Sequence, residues 1–242
     1  MVAWLERLWS SPVMLDERRW VVLDVETSGL DPARDRLLAI AAMGLAVDWT
    51  RRRLEIVTAD SFEVVLRQDQ VSSHDNILLH GIGQQRQRDG VPAAQALEAF
   101  RQFVGASPLL AFHAAFDQAM IERALRSHLH QRLPNPWLDI EHLCAVTHEG
   151  IKARSLDQWM AHFSVQCAVR HQAAADTQAE CDLLLRIWPQ VARQCGNWHD
   201  MVRLADSHRW IRRCGRPRGH CGSGVGFDQR RLAQPVGRQS AR

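Results

Sequence analysis

Trp20 to Val25 is an apolar, β-branched run broken only by Asp24, and it continues into Glu26 and Thr27. Such a run reads as a strand packed within a sheet. Successive side chains of a strand face opposite sides, so Leu23 and Val25 share one face while Asp24 and Glu26 share the other, their Cβ atoms roughly 7 Å apart. Acids are depleted in strands, and two neighbouring carboxylates raise one another's pKa unless a cation neutralises them. Two readings follow for the pair: a hard divalent cation, Mg²⁺ or Mn²⁺, for which carboxylate oxygen is the preferred donor, or the solvated polar face of an edge strand.

The segments that follow set the fold class. Leu37–Val47 and Leu54–Leu66 read as neighbouring strands. Ala93, Leu97, Phe100 and Val104 recur at helical spacing over 93–104, and Pro108 opens a short strand, Leu109–Phe112, with a helix over about 115–128 behind it. Ser155 is the expected N-cap of a short helix to about 163. Leu183, Leu184, Ile187, Trp188 and Val191 form the apolar stripe of a longer helix that starts near Ala173 and contains Pro189. Three strands followed by alternating helix and strand predict an α/β domain with a mixed sheet. A composition 46% hydrophobic and 24% charged excludes disorder throughout. The eleven-residue run Leu37–Val47 is well short of a membrane span, and the N-terminus lacks a signal-peptide pattern, so a cytoplasmic protein without a membrane partner is expected. The six cysteines include no C-x-x-C pair, and reduced thiols are expected.

Charge divides the chain. Nine arginines and a single acid, Asp228, lie between Arg209 and Arg242, which leaves the preceding residues net acidic in a chain whose formal charge is +3. The last stretch is rich in glycine as well as arginine and reads as a flexible basic tail, 209–242. A helical extension, 1–17 with a helix over residues 2–9, precedes the main domain, 18–208. Arg51-Arg52-Arg53 reads as a solvated turn. Trp198, close to the tail, and Trp210, within it, are candidates for stacking on nucleic-acid bases.

Further acids occur where open α/β sheets bind ligands, at the carboxyl ends of strands. Asp117 falls in the first turn of the helix after Leu109–Phe112, and His171 precedes a helix whose first turns hold Asp176. Taken singly, each acid has a bland alternative, since a first-turn carboxylate complements the helix dipole.

Together, Val22-Leu23-Asp24-Val25-Glu26-Thr27-Ser28-Gly29-Leu30-Asp31-Pro32, Ala111-Phe112-His113-Ala114-Ala115-Phe116-Asp117 and His171-x-Ala173-x-x-Asp176 resemble the three motifs of the DEDDh family of 3′→5′ exonucleases, to which the proofreading epsilon subunit of bacterial DNA polymerase III belongs. His80-Gly81-Ile82, Leu138-Asp139-Ile140 and Ser155-Leu156-Asp157 are lesser similarities in the same order. The resemblance covers about residues 18–192. It implies a ribonuclease-H-like mixed five-stranded sheet with its second strand antiparallel, flanked by helices, and two divalent metal ions, Mg²⁺ or Mn²⁺. It further implies that Asp24, Glu26 and Asp176 hold one ion, that Asp24 and Asp117 hold the other, and that His171 is the general base. Thr27 and Leu30 would contact the terminal nucleotide. Ala114 departs from the asparagine usual in the family, which puts in question the ordering of that loop or a substrate contact.

The chemistry is consistent with that set. Hydrolysis of a phosphodiester needs an activated in-line water and charge relief at the phosphate and leaving oxygen, which two cations supply, and histidine ordinarily titrates near pH 6.5, so activity is expected to rise through about pH 6 to 8. Expected partners are single-stranded DNA or RNA 3′ ends, DNA being favoured, and a DNA polymerase. An exonuclease for RNA or short oligonucleotides, or a non-catalytic nucleic-acid-binding or polymerase-accessory module on the same fold, are the alternatives that the sequence leaves open, together with the oligomeric state.

Overall fold

The computed structural model describes residues 14–208; the helix expected over residues 2–9 and the basic tail lie outside them. The chain runs β1 (Arg19–Thr27), β2 (Leu37–Asp48), β3 (Arg53–Val65), α1 (His74–His80), α2 (Gln84–Arg88), α3 (Ala93–Val104), β4 (Leu109–Ala111), α4 (Ala114–Leu129), β5 (Trp137–Asp139), α5 (Ile140–Thr147), α6 (Leu156–Phe163), α7 (Ala173–Gln194) and α8 (Trp198–Asp206). The strands form one five-stranded sheet in the order β3-β2-β1-β4-β5. β2 pairs antiparallel with β1 and β3, whereas β4 runs parallel to β1 and β5 parallel to β4. This is the mixed sheet with an antiparallel second strand that the motifs imply.

The alternation of β1 divides the core in two. Val21, Leu23 and Val25 face the layer formed with Leu97 and Phe100 of α3 and Met120 and Ile121 of α4. Trp20 and Val22 face the other layer, with Leu143 of α5, Trp159 of α6 and Leu184 and Ile187 of α7. Asp24 and Glu26 continue the row of Trp20 and Val22, which aims them at the amino end of α7. The acids lie where this row runs out of apolar partners, at the end of a buried strand.

Local signals account for most boundaries. Ser155 caps α6 in a reciprocal capping box with Gln158. α7 carries its apolar stripe past Pro189 to Gln194. The arginine turn is anchored: Arg52, at φ 55°, donates to Ala192 O at 2.8 Å, and its own carbonyl accepts from Trp188 Nε1 at 2.8 Å. The expectation for Trp198 is corrected. Its ring is buried against Trp20, with centroids 5.5 Å apart, so it serves the core and offers no face to a base. The described cysteines, Cys144, Cys167, Cys181 and Cys195, are free thiols. No described helix is long and apolar enough to cross a membrane.

Candidate active site

Three elements bring the acids together. Oxygen atoms of Asp24 and Glu26 on β1 and of Asp176 on α7 lie within 4.8 Å of one another. β4 ends at Ala111, and His113 then takes a left-handed conformation, φ 61°, that turns the chain into α4 and places Asp117 in its first turn, buried next to Asp24. His171 makes a second left-handed turn, φ 61°, before α7, and its backbone N–H donates to Asp176 Oδ2 at 2.9 Å. The Arg170 guanidinium bridges Asp176 and Asp157, at 2.6 Å from the latter. The imidazole of His171 is exposed at the rim.

A fifth acid completes the cluster. Glu180, one turn beyond Asp176, is 1% exposed, and its Oε2 accepts the Phe112 N–H at 3.1 Å. The crowd of acids governs their protonation. Desolvation first, then Asp176, pushes Asp24 up to about 8, against the opposing pull of Arg170 and the Val25 N–H. Desolvation and then Asp24 and Asp176 push Glu26 up to about 9. Asp117 and Glu180 are raised well above the carboxylate range, by burial and then by Asp24. Burial and mutual repulsion thus favour the neutral forms of Asp24, Glu26, Asp117 and Glu180 where no cation offsets them. Their donor set is all hard oxygen, so the residues fit a divalent cation of the Mg²⁺ class, whose charge would let them ionise together.

All seven residues singled out in the sequence line one cleft of about 550 Å³: Asp24, Glu26, Thr27, Leu30, Asp117, His171 and Asp176. Leu30 is 84% exposed at its edge. Its loop is held by Asp35, whose carboxylate accepts from Ser28 Oγ at 3.0 Å and from the Asp31 N–H at 2.8 Å. A Cβ at Gly29 would come within 2.5 Å of that carboxylate, which explains the glycine. Thr27 O accepts from Asn76 Nδ2 at 3.0 Å, and Asn76 Oδ1 in turn meets the buried His80 at 2.9 Å. The His80-Gly81-Ile82 segment thus serves to seat α1 against the cleft, with Gly81 as a left-handed C-cap at φ 71°.

Glu180, Arg170, Asn76 and the exposed Leu79 also line the cleft and were not found from the sequence. Glu180 had a usable signal, since four residues from Asp176 puts it on the same helical face. The others had none. Ala114 is buried in the α3–α4 layer. The loop around it is ordered by two carboxylates: Glu180 on the Phe112 N–H, and Asp139 Oδ1 on the His113 N–H at 3.1 Å.

The sequence profile of the family described as Exonuclease (RNase T) matches residues 21–184. Among curated relatives, the DNA polymerase III PolC-type of Bacillus subtilis is 28% identical over 188 residues, which are 77% of this chain and 12% of the relative. The chain therefore spans about an eighth of the length of that relative. Among solved structures, one of exonuclease I superposes with a TM-score of 0.61 at 16% identity, covering 78% of this chain and 42% of the other. Escherichia coli exonuclease I in complex with a dT13 oligonucleotide gives 0.57 at 18% identity, covering 69% and 40%. These likenesses show the same fold.

Proposed function

Because the chain belongs to the exonuclease family, whose profile covers residues 21–184, we propose that it hydrolyses phosphodiester bonds from the 3′ end of single-stranded nucleic acid, DNA ahead of RNA, and releases nucleoside 5′-monophosphates. The observation that carries this reading is the convergence of Asp24, Glu26 and Asp176 on one point beside the buried Asp117. Asp24, Glu26 and Asp176 would hold one divalent ion, and Asp24 with Asp117 a second, both Mg²⁺ or Mn²⁺. When bound, such a pair supplies charge relief at the scissile phosphate and the leaving 3′ oxygen and acidifies the attacking water.

The protein's own groups do the rest. An imidazole nitrogen of His171, exposed at the rim, takes the proton of the attacking water. The hydrogen bond from its backbone to Asp176 Oδ2 ties the position of this base to the acid cluster. Leu30 packs against the terminal base, and the backbone around Thr27, fixed by Asn76, borders the terminal nucleotide. The dT13 oligonucleotide bound by exonuclease I supports a single-stranded DNA substrate. The PolC-type relative supports a DNA polymerase as the partner that presents the 3′ end.

The test is to incubate matched DNA and RNA single strands, labelled at the 5′ end, with protein and Mg²⁺, Mn²⁺ or chelator. A ladder shortening from the 3′ end, dependent on metal and lost in Asp24→Asn, is the expected result, with the faster substrate naming the preferred sugar. Binding without shortening under either metal would overturn the catalytic reading in favour of an accessory module.

A further inference from the structure

A second cavity, of about 560 Å³, is walled by residues of the opposite charge to the acid cluster. Arg34 and Arg36 enter it from the loop between β1 and β2, Arg67 from the end of β3, and Arg123 and His128 from α4, with Asp69 as the one acid in its wall. Arg36 is occupied in holding its neighbours, with hydrogen bonds to Gln70 O and to Gln68 Oε1. The other three guanidiniums are less engaged. Arg34, 88% exposed, makes an exposed ion pair through Nε with Asp31 at 3.7 Å. Arg67 donates only Nε, to Gly90 O at 3.2 Å, and Arg123 meets no acid among the described residues, its Nη2 lying 3.9 Å from Met120 Sδ.

Two elements connect this groove with the cleft. The loop that presents Leu30 to the cleft presents Arg34 to the groove. α4 places Asp117 in the cleft, and Met120, Ala124 and His128 follow on the same helical face in the groove. Arg123, six residues beyond Asp117, is about 9 Å farther along the helix axis. No phenylalanine, tyrosine or tryptophan lines the groove, and His128 is the single ring in its wall, so platforms on which successive bases stack are lacking. What it offers is guanidinium, the group suited to phosphate oxygens. Residues 1–208 are net acidic, so this concentration of positive charge is a local feature of the surface.

We propose that the groove carries the phosphodiester backbone of the substrate strand on the 5′ side of the scissile bond, without reading its bases. The proposal rests on the exonuclease reading above, and its test separates the two. Kinetics are measured on a dinucleotide, which fills the cleft alone, and on a long single strand, for the parent and for Arg34→Gln/Arg67→Gln/Arg123→Gln. The triple variant is expected to keep its kcat and its dinucleotide kinetics but to raise KM for the long strand. The slope of log KM against log salt falls in magnitude by about 2, at about 0.7 per lost phosphate contact. The matching triple lysine variant restores most of that slope, which a packing role would not. Anisotropy of the labelled long strand in chelator reads the groove independently of turnover. An unchanged long-strand affinity and salt slope, or an equal loss on the dinucleotide, overturns the proposal. If the parent cleaves neither substrate while the triple variant still loses affinity, the exonuclease reading fails and the groove stands.

Discussion

Glu180 allows the electrostatics of the cleft to be tested apart from its chemistry. It is 1% exposed, accepts the Phe112 N–H at 3.1 Å, and is held well above the carboxylate range by burial, then by Asp24 and Asp117. The fold of the metal-free protein therefore favours its neutral form more than the unfolded chain does. Glu180→Ala strips a buried N–H of its acceptor, at about 1–3 kcal/mol, and removes one buried methylene, at about 0.8 kcal/mol. The net loss is about 3 kcal/mol, or roughly 6 to 12 °C in Tm for a chain of this size. Glu180→Gln keeps the acceptor and the shape and cannot ionise, so it is expected to unfold within about 1 kcal/mol of the parent. The sign with pH follows from linkage. A carboxyl whose folded pKa is raised binds a proton more tightly in the fold than in the unfolded chain, so its contribution declines as pH rises above the unfolded value. The glutamine variant should therefore lose stability less steeply than the parent from pH 5 to 9. Urea unfolding in chelator across that range, on both variants, is the assay. If Glu180→Gln destabilises as much as Glu180→Ala, or leaves the pH slope unchanged, Glu180 is ionised in the fold and the reasoning is wrong.

The other expectations are briefer. Asp24 and Glu26, raised to about 8 and about 9 in the fold, hold more protons folded than unfolded, so metal-free Tm should fall as pH rises from about 5 to 9. Saturating Mn²⁺ should flatten that decline, and thermal melts with Mn²⁺ and with chelator that run parallel would argue against a metal at these acids. His171→Ala should lower kcat by about 10²–10⁴ and leave oligonucleotide binding intact, as stopped assays and anisotropy would report. Leu30→Ala should raise KM with no change in Tm, because the side chain is 84% exposed. Gly29→Ala should cost about 1–3 kcal/mol and weaken substrate binding, since the new Cβ displaces the Asp35 carboxylate that holds the loop.

Much of this was legible because it depends on local pattern. The strand β1, the helix Ala93–Val104, the Ser155 cap and the stripe of α7 are written in residues that meet their partners at fixed spacing within one element. β5 and α8 were not found, for identifiable reasons. β5 has three residues, too few for any period to register, and becomes a strand by pairing with β4. Trp198 lies next to a basic segment and looked like part of it, yet its ring is enclosed by a core that includes Trp20 of β1 and Trp188 of α7.

The candidate site divides along the same line. The sequence alone determined which acids share a strand face, where helices begin beside Asp117 and Asp176, and which motif order the chain follows, because strand alternation and helix starts are local rules. Only the tertiary structure decided that Glu180 stands behind those acids and that Arg170 bridges to them. It likewise decided that the loop around Ala114 is ordered by Glu180 and Asp139, and that arginines from three separate segments wall one groove. Those facts depend on distances between segments far apart in the chain. Such distances are set by how the apolar faces of helices and sheet pack, and no spacing along the sequence encodes them.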